Sequence, residues 1–188
     1  VPTIIADVDL TEVKEWTPIG TEEHPWTGEF NGNGKKLINF TSSKPLFGVC
    51  DNATIKNVVF DETSKIEYVG EFSQPLVIAA LAKELKNNSL VESCTNNGTV
   101  SADAAGTAEG TSIMAAGLVA YVDPTSKVRL CTNIGTVSIP NSCTTVSDSS
   151  NSFVAGIVAM NEGIVEDCFN NGVITASAQA VQSCAAGV

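Results

Sequence analysis

The stretch AGIVAMNEGIVEDCFNNGVIT, residues 155–175, occurs twice earlier in the chain in altered form. AGLVAYVDPTSKVRLCTNIGTVS at 116–138 and AALAKELKNNSLVESCTNNGTVS at 79–101 keep the same order of small residues, aliphatic residues, Cys, Asn and Gly. Three columns repeat at one constant spacing: Cys94, Cys131 and Cys168; Asn96, Asn133 and Asn170; and Gly98, Gly135 and Gly172. Repetition at one fixed period is the sequence signature of a solenoid.

One copy contains three short runs that are typical of strands, at 117–122, 128–133 and 136–139. Strands this short cannot bury a face alone. Stacked copies can, because each strand then pairs in parallel with its equivalents about 4.8 Å above and below. We interpret segments 102–112, 140–152 and 176–183 as the return loops that parallel pairing requires. The sequence therefore predicts an all-β chain folded as a single-stranded parallel β-helix.

The prediction covers residues 1–188 as one domain of about five coils. Residues 1–34 form an N-terminal cap and first coil, 35–70 form short coils, and 71–188 form the long-loop repeats. Neither end shows a recognisable cap, so we expect the chain to be part of a longer protein.

Weaker copies of the repeat lie in the first third of the chain. Gly48 is assigned there to the position of Gly117, and Val58 to the position of Cys94. Asn39 is aligned over Asn57, which predicts that the early coils are much shorter than the later ones.

Composition and charge narrow the classes of partner. Hydrophobic residues make up 43% of the chain and charged residues 16%, which argues against disorder. Ten Lys and Arg against 21 Asp and Glu give a net charge of −11 without any basic run. Such a surface repels phosphate backbones and anionic lipid, so we expect the chain to bind neither nucleic acid nor an anionic membrane directly. No segment approaches the roughly 18 apolar residues of a transmembrane helix.

The six cysteines do not follow the spacing of a metal site. Cys94, Cys131 and Cys168 share one repeat position, so we predict a column of buried thiols that act as small hydrophobic side chains. Cys143 and Cys184 lie in return loops of successive copies, and a disulfide between them is the alternative to two free thiols. We predict no metal and no cofactor.

Four aromatic residues are candidates for ligand binding. Trp16 and Trp26 flank a loop that contains Pro and Gly, and aromatic rings of this kind stack on sugar faces. The alternative is that both rings cover the first coils as part of the cap. Tyr68 and Tyr121 are outward-facing candidates for the same role.

An enzymatic site would need converging carboxylates, as in β-helix enzymes that cleave acidic polysaccharides. Glu92 and Asp167 come close to sharing one outer column, but Leu130 stands in the position between them. The chain has a single histidine, His24, so no nucleophile–histidine set can be assigned. We assign no catalytic residue.

The repeated stretch resembles the GLUG-type motif of bacterial surface proteins, a Gly-Leu-Val-Gly, Asn-Gly-Thr-Ile, Asn-Cys, Gly-Thr-Val string. DVDLTEVKEWTPIG and WTGEFNGNGKKLINF, near the N-terminus, resemble the segment that commonly precedes the motif in secreted or lipid-anchored proteins of gut Bacteroidales. Ala80, Ala116 and Ala120 depart from the motif, which usually has Gly there. The resemblance implies a right-handed parallel β-helix displayed at the cell surface. The motif also accompanies some large immunoglobulin-A-cleaving proteases as a non-catalytic passenger, and it carries no agreed catalytic residues.

Two functional hypotheses follow. The first is a non-enzymatic, exported surface module at the outer membrane, adhesin-like, binding a surface glycan or a protein, or serving as a stalk. A lipid anchor outside this chain is compatible with it. The alternative is a polysaccharide lyase or glycoside hydrolase of β-helix type, which requires carboxylates that converge in an open groove.

Overall fold

The computed structural model describes residues 1–107, 111–140, 151–176 and 182–188. Within these ranges every regular element is a β-strand. The N-terminal part contributes β1 (Val8–Asp9), β2 (Glu29–Asn31), β3 (Lys36–Ile38) and β4 (Thr41–Ser42). The first long coil contains β5 (Phe47–Asp51), β6 (Thr54–Lys56), β7 (Val59–Phe60), β8 (Lys65–Phe72) and β9 (Leu76–Ala79).

The remaining strands repeat this five-strand order. The next coil contains β10 (Ala82–Lys86), β11 (Leu90–Glu92), β12 (Thr95–Asn96), β13 (Thr99–Gly106) and β14 (Ile113–Ala116). It is followed by β15 (Val119–Val122), β16 (Lys127–Arg129), β17 (Thr132–Asn133), β18 (Val137–Ser138) and β19 (Asn151–Ala155). The last described strands are β20 (Val158–Asn161), β21 (Ile164–Glu166), β22 (Phe169–Asn170), β23 (Ile174–Thr175) and β24 (Gln182–Ala186).

Equivalent strands of successive coils stack into five sheets, and all of their pairings are parallel. In strand order, the sheets are sheet A (β2-β6-β11-β16-β21), sheet B (β1-β3-β7-β12-β17-β22), sheet C (β5-β10-β15-β20), sheet D (β4-β8-β13-β18-β23) and sheet E (β9-β14-β19-β24). The chain visits them in the order C, A, B, D, E in each long coil. This confirms the predicted parallel β-solenoid.

The number of turns differs slightly from the prediction. In sheet C, Phe47 pairs with Ala82, Ala82 with Val119, and Val119 with Val158. These pairings make about three full-length turns with a repeat of about 36 residues, not the five coils expected. The difference arises because residues 1–46 pair with the next coil over much shorter steps and do not form a complete coil.

The interior is filled by columns of aliphatic and small side chains from each sheet. Ile55, Val91 and Val128 stack in sheet A, and all three are buried. Buried polar residues interrupt this core at one level: Asn96 and Asn133 are fully buried and paired in sheet B. The predicted Asn column thus lies inside the solenoid.

The Gly48 assignment in the first long coil is wrong. Because Phe47 pairs with Ala82 and Ala82 with Val119, Pro45 and not Gly48 occupies the position of Gly117. A single Gly match was too weak a guide where the coil length changes.

The alignment of Asn39 over Asn57 is also wrong. Asn31 pairs with Lys56, the residue directly before Asn57, while Leu37 pairs with Phe60. Asn39 therefore lies well past the position that stacks on Asn57. Both are left-handed Asn residues at corners, with φ of 57° and 56°, but at different corners of their coils.

The predicted return loops also contain strands. β13 continues to residue 106, β14 begins at residue 113, and β19 and β24 begin inside the other two predicted loops. Most side chains there are Ala, Ser, Thr and Gly, whose pattern in the sequence is typical of loops. They form strands here because a long neighbouring strand in the stack supplies the hydrogen bonds that local propensity does not favour.

A left-handed residue divides the predicted strand 128–133 into β16 and β17. Leu130 has φ of 54°, and Asn57, Ser93 and Asp167, at the equivalent corner of the other coils, have φ of 56°, 54° and 51°. Asn and Asp adopt this conformation more readily than a bulky side chain. This left-handed residue turns the chain from sheet A to sheet B in each coil. Leu130 adopts the same conformation at a higher conformational cost than Asn or Asp.

Candidate functional site: the ledge cleft

A change in coil length leaves part of the first long coil uncovered. Thr41 of β4 pairs with Lys65 of β8, and Lys65 pairs with Thr99 of β13, so the coil before β8 is shorter than the coil after it. The short coil reaches only Lys65 and Ile66 of β8, and no described strand pairs with residues 67–72 on that side. β9 is likewise the terminal strand of sheet E. We call residues 67–72 together with β9 the ledge.

Cavities follow the ledge on its uncovered side. A cavity of about 410 Å³ lies against Glu67, Tyr68 and Val69, and a second of about 330 Å³ lies between Pro18, Pro45, Tyr68 and Leu76. The two share Ser43 and Tyr68. We call these two neighbouring cavities, with the two further cavities described next, the ledge cleft.

The cleft extends at both ends. A polar cavity of about 310 Å³ shares Ser43 and Lys44 with it and is bounded by Trp16. At the other end a cavity of about 210 Å³ shares Val77 and Lys83 and is bounded by Met114 and Tyr121. Beside this end Ala79, Ala116 and Ala120 form a buried cluster separate from the core, with Val77 and Ala159 packed against it. The cleft is therefore polar near the N-terminal segment and apolar toward sheets C and E.

Three of the four predicted aromatic residues line the cleft, namely Tyr68, Tyr121 and Trp16. The Tyr68 hydroxyl donates a hydrogen bond of 2.6 Å to the carbonyl oxygen of Glu71, and the ring borders two cavities. The Tyr121 hydroxyl donates a hydrogen bond of 2.8 Å to Glu162. This bond to a carboxylate raises the pKa of Tyr121, so the phenol stays protonated. Both hydroxyls are oriented by the protein, and both rings are half-buried.

The two tryptophans pack chiefly on the core. Trp16 lies edge-on to Phe40, 5.3 Å between ring centroids, and its indole N–H donates to the carbonyl oxygen of Leu46 over 3.1 Å. Trp26 packs against Phe47 at 6.2 Å, and its buried indole nitrogen has no hydrogen-bond partner among the described residues. Trp16 covers the first coils and also borders the polar end of the cleft, whereas Trp26 lines none of its four cavities.

Two lysines and one glutamate line the polar end, namely Lys14, Lys44 and Glu15. Neither lysine makes an ion pair with a described carboxylate. Lys83, at the apolar end, is paired with Glu22 at 3.2 Å. Ser42 and Ser43 add hydroxyl groups to the lining of the polar end. Sequence reasoning missed these residues, because no pattern in the chain marks where strand pairing stops.

The predicted cysteine column lies in register, with Cys94 and Cys131 buried and Cys168 half-buried. The Cys94 amide is 3.4 Å from the sulfur of Cys131, and the described cysteines are all free thiols. Hydrogen bonding to Cys131, followed by burial, raises the pKa of Cys168. Burial alone raises the pKa of Cys50 to about 12. Cys50 and Cys168 therefore stay neutral near pH 7 and lack the thiolate character of a nucleophile or metal ligand.

The other cysteine prediction concerns Cys143 and Cys184. Cys143 lies outside the described residues. Cys184 is exposed on β24, in register with Phe153, and forms no disulfide with a described residue. The proposed bridge stays a prediction.

The outer face of sheet A carries the carboxylates that an enzyme hypothesis would use. Lys56, Glu92, Arg129 and Glu166 occupy successive paired positions, so opposite charges alternate along the column. Glu92 pairs with Arg129, and Glu166 pairs with Lys127 at 3.1 Å. Asp167 lies at the left-handed corner beside this column. In the described ranges no three His, Cys, Asp or Glu side chains are grouped as metal ligands.

Comparison with known proteins bears on the fold. No family model matches the sequence, and no curated protein matches it. Among solved structures, the chain is similar to that of a "putative immunoglobulin A1 protease" from Bacteroides ovatus. The TM-score is 0.50 at 17% sequence identity, over 98% of this chain and 76% of that chain. What they share is the fold. The described residues of this chain include no helix long and apolar enough to cross a membrane.

Proposed function

We propose that this chain is a non-enzymatic binding module of an exported protein at the bacterial cell surface, and that the ledge cleft holds its ligand. The observation that carries the proposal is that four neighbouring cavities, of about 410, 330, 310 and 210 Å³, share lining residues along the ledge. Each is comparable to or somewhat smaller than an ordinary ligand site, and together they form an elongated surface. An extended ligand fits this shape better than a compact one.

The chemistry of the lining supports binding. Aromatic and aliphatic side chains provide contact area, while the hydroxyls of Ser42 and Ser43 and the free ammonium groups of Lys14 and Lys44 provide polar selectivity. The likeness of the repeats to the GLUG-type motif and the acidic composition support export and surface display. The similar Bacteroides ovatus structure is named a putative protease, and nothing in the shared fold transfers that activity to this chain.

The alternative of a polysaccharide lyase or glycoside hydrolase has less support. In the sheet A column, the carboxylates of Glu92 and Glu166 are neutralised by Arg129 and Lys127. A general acid must donate a proton to the glycosidic oxygen, and a carboxylate whose oxygen is held by a cationic side chain is poorly placed to do so. Incubation with uronate-containing polysaccharides, followed by the ultraviolet absorbance of unsaturated uronate and by reducing-end release, tests this alternative directly. Sustained product release would overturn the non-enzymatic proposal.

Binding is tested with the purified chain on glycan arrays and on intact host and bacterial cells. Val77→Glu places a carboxylate where two cavities of the cleft join. Ile164→Glu, at a half-exposed position in sheet A, is the matched control. We expect the first variant to abolish binding and the control to keep it. Unchanged affinity in Val77→Glu would place the binding site elsewhere. The absence of any ligand would favour a stalk.

A further inference from the structure

The backbone orientation of β8 defines what the ledge presents to a ligand. The amide of Lys65 donates to the carbonyl oxygen of Phe40, on the side of β4, whereas the carbonyl oxygen of Phe72 accepts from Thr107, on the side of β13. Peptide groups alternate along a strand, so every second residue faces the same neighbour. The N–H and C=O groups of Glu67, Val69 and Glu71 therefore face the uncovered side, as those of Lys65 do.

These groups form an open row of donors and acceptors. In the described part of the chain one of them is used, because the Glu71 carbonyl oxygen accepts the hydroxyl of Tyr68. The Val69 side chain in the middle of the row is 78% exposed. An open strand edge is a template for pairing with another extended chain.

We propose that the ledge binds an extended polypeptide segment of another protein by β-strand addition, with the added strand lying in the ledge cleft against Glu67, Val69 and Glu71. This rests on the proposed function, and it specifies the class of ligand. Main-chain hydrogen bonds to the row supply affinity, and alternate side chains of the segment enter the cleft and supply selectivity.

The charges on the ledge disfavour a second copy of this chain as the occupant. Two ledges paired antiparallel about Val69 would set Glu67 of each copy opposite Glu71 of the other. Like charges directly opposite on paired strands are destabilising, and each copy also carries a net charge of −11. A foreign segment has neither penalty.

The cleft also indicates the composition of the segment. The cavity between Pro18, Pro45 and Leu76, about 330 Å³, fits one apolar side chain with room beside it. Glu67 and Glu71 flank Val69 on the ledge, and neither makes an ion pair with a described residue. They lie beside the added strand, so they select a basic residue in the segment. The recognised sequence is thus an extended one that combines an apolar residue with a nearby Lys or Arg.

The test uses the full chain and an array of short synthetic peptides in which Val alternates with Glu, Ser or Lys. We expect the Lys series to bind most tightly, and the Glu series to bind least, because Glu67 and Glu71 lie beside the added strand. Val69→Pro removes the central donor of the row without removing a bond to β13, and should weaken binding about tenfold. Val69→Ala keeps the donor and should bind within about twofold of the unchanged chain.

A second measurement does not depend on the folding of Val69→Pro. Single N-methylation is scanned along the best peptide, and strand addition predicts loss of binding at every second position. Equal affinity for Val69→Pro, or N-methylation effects with no two-residue period, would overturn the inference. So would a concentration-dependent dimer that Val69→Pro abolishes. Binding of glycans but of no peptide would overturn it while leaving the proposed function intact.

Discussion

The N-terminal part of the molecule and its central repeats are stabilised in different ways. Among the described residues, the four close aromatic contacts all fall before Asp61, where Phe40 lies between Trp16 and Phe60, and Phe47 lies between Trp26 and Phe30. The central coils instead repeat small and amide side chains in columns. Large aromatic side chains can fill the space between coils of unequal length. Columns of small and amide side chains stack only where the coils are equal in length.

The asparagine column forms hydrogen bonds between coils that are equal in length. The Asn96 amide donates to the side-chain oxygen of Asn133 over 2.9 Å, and the Asn133 amide donates to that of Asn170 over 2.8 Å. Asn133 also donates to the carbonyl oxygen of Gly135 within its own coil. Each buried amide therefore satisfies groups in two coils, which works only while the step between coils stays constant.

The largest loss of stability in the N-terminal part is expected at Phe40. Phe40 is fully buried, so Phe40→Ala should lower the free energy of unfolding by about 4 kcal/mol. Phe169→Ala is the control, because this ring in the last coil is 60% exposed and should cost under about 1 kcal/mol. Urea unfolding of both variants, followed by tryptophan fluorescence, measures the difference. Similar costs would show that aromatic packing does not stabilise the N-terminal part.

In the central repeats the largest effect is expected at Gly135. A Cβ atom there would lie 1.7 Å from the carbonyl oxygen of Gly98 in the coil below, so the backbone must move. Gly135→Ala should cost about 3 kcal/mol or more. Gly34→Ala meets no atom within 4 Å but needs φ of 67°, so it should cost about 1 kcal/mol. Thermal unfolding by circular dichroism compares them, and equal losses would contradict close coil packing at Gly135.

The amide column itself is tested by Asn133→Ala. The substitution leaves the Gly135 carbonyl and the Asn170 oxygen without their donor in a buried site, and should cost about 2 kcal/mol. Asn161 makes the same kind of local bonds with Gly163, but it is exposed, so Asn161→Ala should cost under about 0.5 kcal/mol. Chemical denaturation of the two variants gives both values. A cost for Asn133→Ala as small as for its control would mean that water replaces the column.

The smallest effect is a gain in stability. Leu130 occupies the left-handed corner at φ of 54° and is 50% exposed. Leu130→Asn should therefore stabilise the protein by about 0.5–1 kcal/mol, because Asn adopts this conformation more readily. The unfolding temperature should rise by about 1–4 °C. Leu130→Ala keeps the conformational cost and should not raise the unfolding temperature. If Ala raised that temperature as much as Asn does, the gain would come from removing an exposed hydrophobic side chain instead.

Sequence reasoning succeeded where the period was strict. The columns of Cys94 and Asn96 predicted the parallel stacking, and the assignment of Val58 to the Cys94 position holds, since Val59 pairs with Thr95. It failed for Gly48, because a single Gly match does not fix a register, and the pairing of Phe47 with Ala82 puts Pro45 at that position. Tyr68 and Tyr121 were found only as exposed aromatic residues. Their common cleft could not be found, because it arises from strands that end at different lengths.

The steps between coils also bear on how such a chain can change over generations. From β11 and β12 onward, sheets A and B advance by the same step each time, whereas sheet E takes first a longer step and then a shorter one. The coils thus differ in length on the side of sheet E, where the described side chains form no amide column that fixes the count. The unequal steps lie beyond β14, whereas β9 of the ledge and β14 keep the step of sheets A and B. Residues can therefore be gained or lost on that side of the later coils, while the opposite wall keeps the coils aligned.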